Sequence, residues 1–239
     1  MLGHVIQSND YISEEARPAA MPAVMKSALE KAREAPASTK ARILAAAEQV
    51  FAGRGFDGSS TREIAAKAGV NISSLHYHWE SKETLYFAVF RDIYDRIITL
   101  ARDAIGPVLA EGGDVEKVVD ATMGRLTDFF LDHPSIPRLL VRRILETADA
   151  TPPIERDILS PAWAAFSGFM RDIGLPPIKK LDSQLFMLSV NSVLLLFTLD
   201  SQAYGNLLGG SLQSPPLRRA VRQHLIDLTL RLLDRNQGN

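Results

Sequence analysis

Residues 61–85 read TREIAAKAGVNISSLHYHWESKETL, and this stretch decides the fold. Ile64, Ala65 and Ala68 fall on one helical face, and Ser60 precedes Glu63 by three residues, the spacing of a capping box. Gly69 then supplies the backbone freedom that ends a helix, and Asn71 is suited to cap the next one. That second helix carries Leu75 inward and leaves Ile72, Ser73, Ser74, His76 and Tyr77 outward. Ser81, with Glu83 in the following turn, opens a longer helix.

Three chemistries compete for this stretch. A zinc site would use His76 and His78, but residues two apart on a helix point about 200° away from each other. With no cysteine in the chain and no nearby acidic pair, metal ligation is not expected. Asn71-Ile72-Ser73 matches a glycosylation sequon, yet the N-terminus lacks the basic start and apolar core of an export signal. A helix-turn-helix laid against DNA accounts for more of the residues. It needs a short capped second helix whose outer face reaches base edges and phosphates. Ile72 suits contact with a thymine methyl. Ser60, Thr61, Tyr77, His78 and Lys82 suit phosphates, helped by the positive ends of helices starting near Ser60 and Ser81. Trp79 reads as core, Lys67 as solvated surface, and His78 equally well as a half-buried structural histidine.

Working outward, "STKARILAAAEQVFAGRG" places Ile43, Leu44, Ala47, Val50 and Phe51 on one face, capped by Ser38 or Thr39 and stopped at Gly53–Gly55. The helix from Ser81 runs to about Gly106-Pro107. Further helical patterns follow to the C-terminus, and no convincing alternating run appears, so the expected class is all-α. The 239 residues contain 46% hydrophobic and 23% charged residues, ordinary for a globular protein. Net charge is −1, so DNA binding has to come from local geometry. Between positions 38 and 82, six basic and four acidic residues leave +2. The longest apolar run, 185–199, is broken by Ser189, Asn191 and Ser192 and falls short of the roughly 20 residues of a membrane span. A cytoplasmic, non-membrane location is expected.

Residues 40–85 resemble the DNA-binding segment of the tetracycline-repressor (TetR) family. Phe51-x-x-x-Gly55-Phe56, Thr61-Arg-Glu-Ile-Ala65, Ala68-Gly-Val70 and Ser81-Lys-Glu-x-Leu85 carry the likeness. The resemblance implies an N-terminal three-helix DNA-binding domain and a C-terminal helical bundle for effector binding and dimerisation. It also implies a homodimeric regulator, usually a repressor, that binds a palindromic operator and releases it when a small molecule enters. His76 stands where many members carry a phosphate-contacting tyrosine, so Tyr77 is expected to take that contact. Trp79 replaces the usual phenylalanine.

The expected organisation is a flexible arm over 1–37, with a helical piece across "MPAVMKSALEKAREA", then the DNA-binding domain over 38–84 and the effector and dimerisation domain over 85–235. Arg17, Lys26, Lys31 and Arg33 suggest minor-groove contacts by the arm. The DNA-binding set is Ser60, Thr61, Arg62, Asn71, Ile72, Ser73, Ser74, His76, Tyr77, His78 and Lys82. Dimerisation is expected through the last two long helices, about 181–203 and 215–234. Residues 181–203 are apolar almost all round, which suggests burial on several sides. Leu217, Ala220, Val221, His224, Leu225, Leu228 and Leu232 form a seam on the last helix. An apolar or aromatic effector is expected among Phe129, Phe130, His133, Trp163, Phe166, Met170 and Asn191. No cofactor, metal or catalytic residue is expected. The alternative is a helical DNA-binding adaptor without a small-molecule ligand.

Overall fold

The structure is a computed structural model that describes residues 23–146, the single positions 154, 158 and 160, and residues 180–237. Among the described residues every regular element is a helix. In chain order they are α1 (Ala23–Glu34), α2 (Thr39–Arg54), α3 (Thr61–Ala68), α4 (Ile72–Trp79), α5 (Lys82–Ala110), α6 (Val115–Asp132), α7 (Ser135–Leu145), α8 (Lys180–Leu199), α9 (Ser201–Leu207) and α10 (Pro215–Gln237). No single described helix is long and apolar enough to cross a membrane.

The chain divides into two compact units. One takes in residues 16–96 and 138–161, the other residues 1–15, 97–137 and 162–239. This grouping differs from the boundary expected at 84/85, because the first half of α5 and most of α7 belong with the helix-turn-helix.

In the unit holding α2–α4, the alanines and branched residues of α2 make its core. Ile43, Ala47 and Phe51 have no exposed surface, and Ile64 of α3 and Leu75 of α4 meet the same condition. Leu75 and Trp79 sit four apart, so one face of α4 is buried. Tyr86 of α5 is enclosed by rings: Phe51 at 4.9 Å, Phe56 at 5.0 Å and Phe90 at 4.9 Å between centroids, the first edge-on. Such offset aromatic contacts add to what area burial alone provides.

Helix α1 falls within the expected helical piece, yet it packs as part of this unit instead of standing off as an arm. Ala28, Leu29 and Ala32 are buried, and α1 packs on α2 and α4. Arg33 pairs with Asp92 and Asp95 of α5, both at 2.9 Å. A guanidinium held by two carboxylates is not available to a minor groove, so Arg33 leaves the set proposed for that role. Lys31 is exposed. Arg17 and the side chain of Lys26 lie outside the described residues.

Helix α5 continues past the expected stop, through Pro107 to Ala110. Proline lacks the N–H that would bond the carbonyl of Asp103, but Asp103 is exposed and water can serve that oxygen.

In the other unit, α6 packs against α8 and α10. Arg218 of α10 binds Asp128 at 2.7 Å and both carboxylate oxygens of Asp132 at 2.8 Å. The guanidinium holds the Asp132 carboxyl below the usual carboxylate range, chiefly through those hydrogen bonds. Within one chain, helix α8 is covered over part of its surface only. Phe186, Leu194, Leu195 and Thr198 are buried, whereas Leu185, Leu188 and Leu196 are about half exposed, at 52%, 50% and 50%. On α10, Val221 and Leu225 are buried, Leu217, Leu228 and Leu232 are half-buried, and Ala220 and His224 face outward.

Candidate nucleic-acid interface

Helix α3 is built by local hydrogen bonds. Ser60 is extended, at φ −130° and ψ 149°, and its hydroxyl oxygen accepts from the Glu63 N–H at 3.2 Å. The reciprocal half of the capping box is not made. The Glu63 carboxylate instead binds Arg54 at 2.8 Å, tying the end of α2 to the start of α3. At the other end Gly69 is left-handed, at φ 65° and ψ 39°. Its N–H bonds the Ala66 carbonyl at 3.1 Å, and the Val70 N–H bonds the Ala65 carbonyl at 3.0 Å. This pair of bonds is a Schellman closure, and it turns the chain directly into α4.

Asn71 caps α4, its Oδ1 accepting from the Ser74 N–H at 2.7 Å. With Leu75 and Trp79 buried, the 100° advance per residue sends Ser73, His76 and Tyr77 to the opposite face. All three are exposed, Tyr77 by 84%. An exposed aromatic ring at the rim of a short capped helix has a polar hydroxyl and a stacking surface free for a duplex. Ile72 lies on the flank and is half-buried, so it is less projecting than the sequence suggested. Ser74, two positions on and so turned about 200° away, is half-buried too. His76 Nδ1 lies 3.3 Å from the Glu80 carbonyl, which tilts its ring toward the end of the helix.

His78 is half-buried and edge-on to Tyr77, 5.0 Å between ring centroids. Burial lowers its pKa, and the positive charge of Lys40 lowers it further. Lys40, in the first turn of α2 behind the Ser38 cap, thus acts on His78 of α4 through its charge. It was absent from the expected set. The signal that could have found it is a basic residue at a capped helix start.

The expected DNA-binding residues at the helix starts separate into two groups. Arg62 is exposed and Thr61 is half-buried at the start of α3, where backbone N–H groups point outward. Ser60 uses its oxygen as a cap but is itself exposed. Lys82, by contrast, is already engaged. Its ammonium donates to the Phe56 carbonyl at 2.9 Å and the Ser59 carbonyl at 3.3 Å, and lies 4.2 Å from the centre of the Phe56 ring. The start of α5 is occupied as well. The Glu83 carboxyl is held below its usual range by its own backbone N–H and the Ser81 hydroxyl, so an anion already sits there. Lys82 and the start of α5 are thus engaged within the unit, whereas the α3 start and one face of α4 keep polar groups at the surface.

Of the expected effector residues, Phe130 is buried and Phe129 and His133 are half-buried. Phe129 lies 5.5 Å from Phe130 and 4.7 Å from His133 between ring centroids. Asn191 is exposed on α8. Trp163, Phe166 and Met170 lie outside the described residues.

Residues 43–89 match the family described as bacterial regulatory proteins, tetR family. The HTH-type transcriptional regulator RutR of Escherichia coli (strain K12) is 43% identical over 65 residues, 27% of this chain and 31% of that protein. The HTH-type transcriptional repressor KstR2 of Mycolicibacterium smegmatis is 40% identical over 60 residues, 25% of this chain and 29% of that protein. The chain therefore spans about a third of the length of these curated relatives. A transcriptional regulator from Rhodococcus sp. Rha1 shares the fold with a TM-score of 0.60, at 21% identity over 80% of this chain and 94% of that one.

Proposed function

We propose that this chain, a member of the tetR family of bacterial regulatory proteins by residues 43–89, is a ligand-responsive transcriptional regulator that binds a palindromic operator as a homodimer. The observation that carries the reading is the outward face of α4. Ser73, His76 and Tyr77 project from a helix that Leu75 and Trp79 anchor and that Asn71 and Gly69 set in place. One such helix reads too few base pairs for genomic specificity, so two copies related by a two-fold axis must act together.

The half-exposed leucines of α8 and the outward Ala220 and His224 of α10 support pairing through about 181–203 and 215–234. An apolar face of this kind is costly to leave in water and favours a partner. Asn191 and Ser192, exposed on α8, suit hydrogen bonds within that pairing. The Phe129, Phe130 and His133 rings support an apolar or aromatic effector, and such an effector works by binding the DNA-incompetent conformation more tightly. KstR2 is described as a repressor, and repression is the reading we favour here.

The test is selection of duplexes from a random pool by the full chain, followed by sequencing. Enrichment of an inverted repeat, its half-sites about 34–36 Å or a multiple apart, is the expected result. An enriched pool with no repeat symmetry contradicts the dimeric reading, and no enrichment at all contradicts DNA reading itself. Release of the enriched duplex by a small aromatic compound found in a thermal-shift screen separates the regulator from a ligand-free adaptor.

A further inference from the structure

The corner between α2 and α3 is held from outside the segment that reads DNA. Phe56 has both of its backbone polar groups on charged side chains. Its N–H donates to Glu146 Oε1 at 2.8 Å, and its carbonyl accepts from Lys82 Nζ at 2.9 Å. The other Glu146 oxygen accepts from the Tyr86 hydroxyl at 2.7 Å. One turn earlier, Arg142 donates to the Gly53 carbonyl at 3.1 Å. Gly55, at φ 73° and ψ −177°, lies against the same two side chains: a Cβ there would stand 2.5 Å from Glu146 Oε1 and 3.1 Å from Arg142 Cδ. Backbone and side chains at this corner are shaped to each other.

The corner leads straight into the reading apparatus. The Ser59 hydroxyl donates to the Phe56 carbonyl at 2.8 Å, and the next residue, Ser60, caps α3. Where Phe56 sits therefore sets where α3 begins, and the Gly69 closure passes that placement on to α4. Glu146 lies 90 positions after Phe56, far beyond residues 43–89. The Phe56 N–H is buried, the residue being 5% exposed, so losing the carboxylate strands that N–H or forces the corner to move.

We propose that Glu146, seated by the end of α7, is a positioning residue for DNA reading. It locks the α2–α3 corner so that α3 and α4 meet a duplex already arranged. This inference rests on the reading of α3–α4 as the DNA-binding pair. Without the lock, binding has to order the corner at the same moment as it engages bases, and that ordering weakens the complex. The loss falls on sequence-specific binding. Attraction to phosphates is untouched, because no cation on the DNA-facing surface changes.

The experiment uses the full chain as wild type, Glu146→Ala, Glu146→Gln and Tyr86→Phe. Fluorescence anisotropy measures affinity for a duplex enriched by the wild type and for a shuffled duplex of equal length, at several salt concentrations. Stoichiometric titration gives the active fraction, and hydrogen exchange gives protection of the Phe56 amide. Glu146→Ala is expected to weaken the enriched duplex about tenfold, with the shuffled duplex and the salt slope unchanged and the Phe56 amide exchanging faster. Glu146→Gln and Tyr86→Phe, each keeping part of the network, should fall between wild type and Glu146→Ala. Unchanged or tighter specific affinity in Glu146→Ala overturns the proposal. So does a loss confined to the active fraction, which is the mark of a purely structural role. A wild type that enriches no duplex overturns the DNA reading and this inference together, whereas an enriching wild type with an indistinguishable Glu146→Ala overturns this inference alone.

Discussion

Two left-handed glycines flank helix α3, and replacing each by alanine should cost very different amounts. Gly69 has φ 65° and ψ 39°, and a Cβ there would meet nothing within 4 Å. Gly69→Ala therefore pays for the left-handed backbone alone, about 1–2 kcal/mol, and Gly69→Asn should pay less. Gly55, at φ 73° and ψ −177°, occupies a region that is nearly exclusive to glycine, which by itself costs about 1–3 kcal/mol. Its Cβ would also stand 2.5 Å from Glu146 Oε1, so the carboxylate must leave the Phe56 N–H, a further loss of about 1–3 kcal/mol. Gly55→Ala is thus expected to cost about 2–6 kcal/mol in sum. Urea unfolding followed by tryptophan fluorescence measures both, in a Trp163→Phe background that leaves Trp79, buried in this unit, as the reporter. The two contributions at Gly55 separate in a double-mutant cycle. On a Glu146→Ala background the cost of Gly55→Ala should drop by about 1 kcal/mol or more, because the nearest clash has gone and only Arg142 Cδ, at 3.1 Å, remains close. Equal costs at the two glycines, or a Gly55 cost that Glu146→Ala does not relieve, refute the reasoning.

Tyr77→Ala removes an 84% exposed ring, so stability should stay within about 0.5 kcal/mol, while affinity for an enriched duplex falls about tenfold; anisotropy and thermal melts read the two effects. Leu188→Glu combined with Leu196→Glu should convert a dimer to a folded monomer, since both side chains are half exposed within one chain. Equilibrium sedimentation decides this, and a wild type already monomeric at micromolar concentration contradicts it. Burial, aided by Lys40, holds the His78 imidazole below its ordinary value, so on acidification the unfolded chain takes up that proton first. The stability contributed by neutral His78 is present above about pH 6.5 and fades as the pH falls below it. The urea midpoint should drop more between neutral and mildly acidic buffer in wild type than in His78→Gln.

Much of the helix-turn-helix was legible because its determinants are short-range. Ser60 and Glu63, Gly69 and Ala65, and Asn71 and Ser74 each bond within about one helical turn. Leu75 and Trp79 follow from the same period, and so does the outward placement of His76 and Tyr77. What short-range reading did not supply concerns long side chains and packing partners. Lys82 was expected on a phosphate and binds the Phe56 and Ser59 carbonyls, 26 and 23 residues away. Arg33 was expected near DNA and pairs with Asp92 and Asp95, 59 and 62 residues away. The leucines of α8 suggested burial in an apolar helix, yet which of its faces a neighbour covers depends on how α6 and α10 pack.

Sequence alone determined the all-helical class, the caps and closure around α3 and α4, and the face that α4 presents, because hydrogen bonds closed within a turn require particular residue types at adjacent positions. Tertiary structure alone decided that Glu146 holds Phe56, that Lys82 is engaged within the unit, and that α8 keeps an apolar face outward. A charged or apolar side chain accepts many partners, and the one it takes depends on which distant segments the packed helices bring within reach.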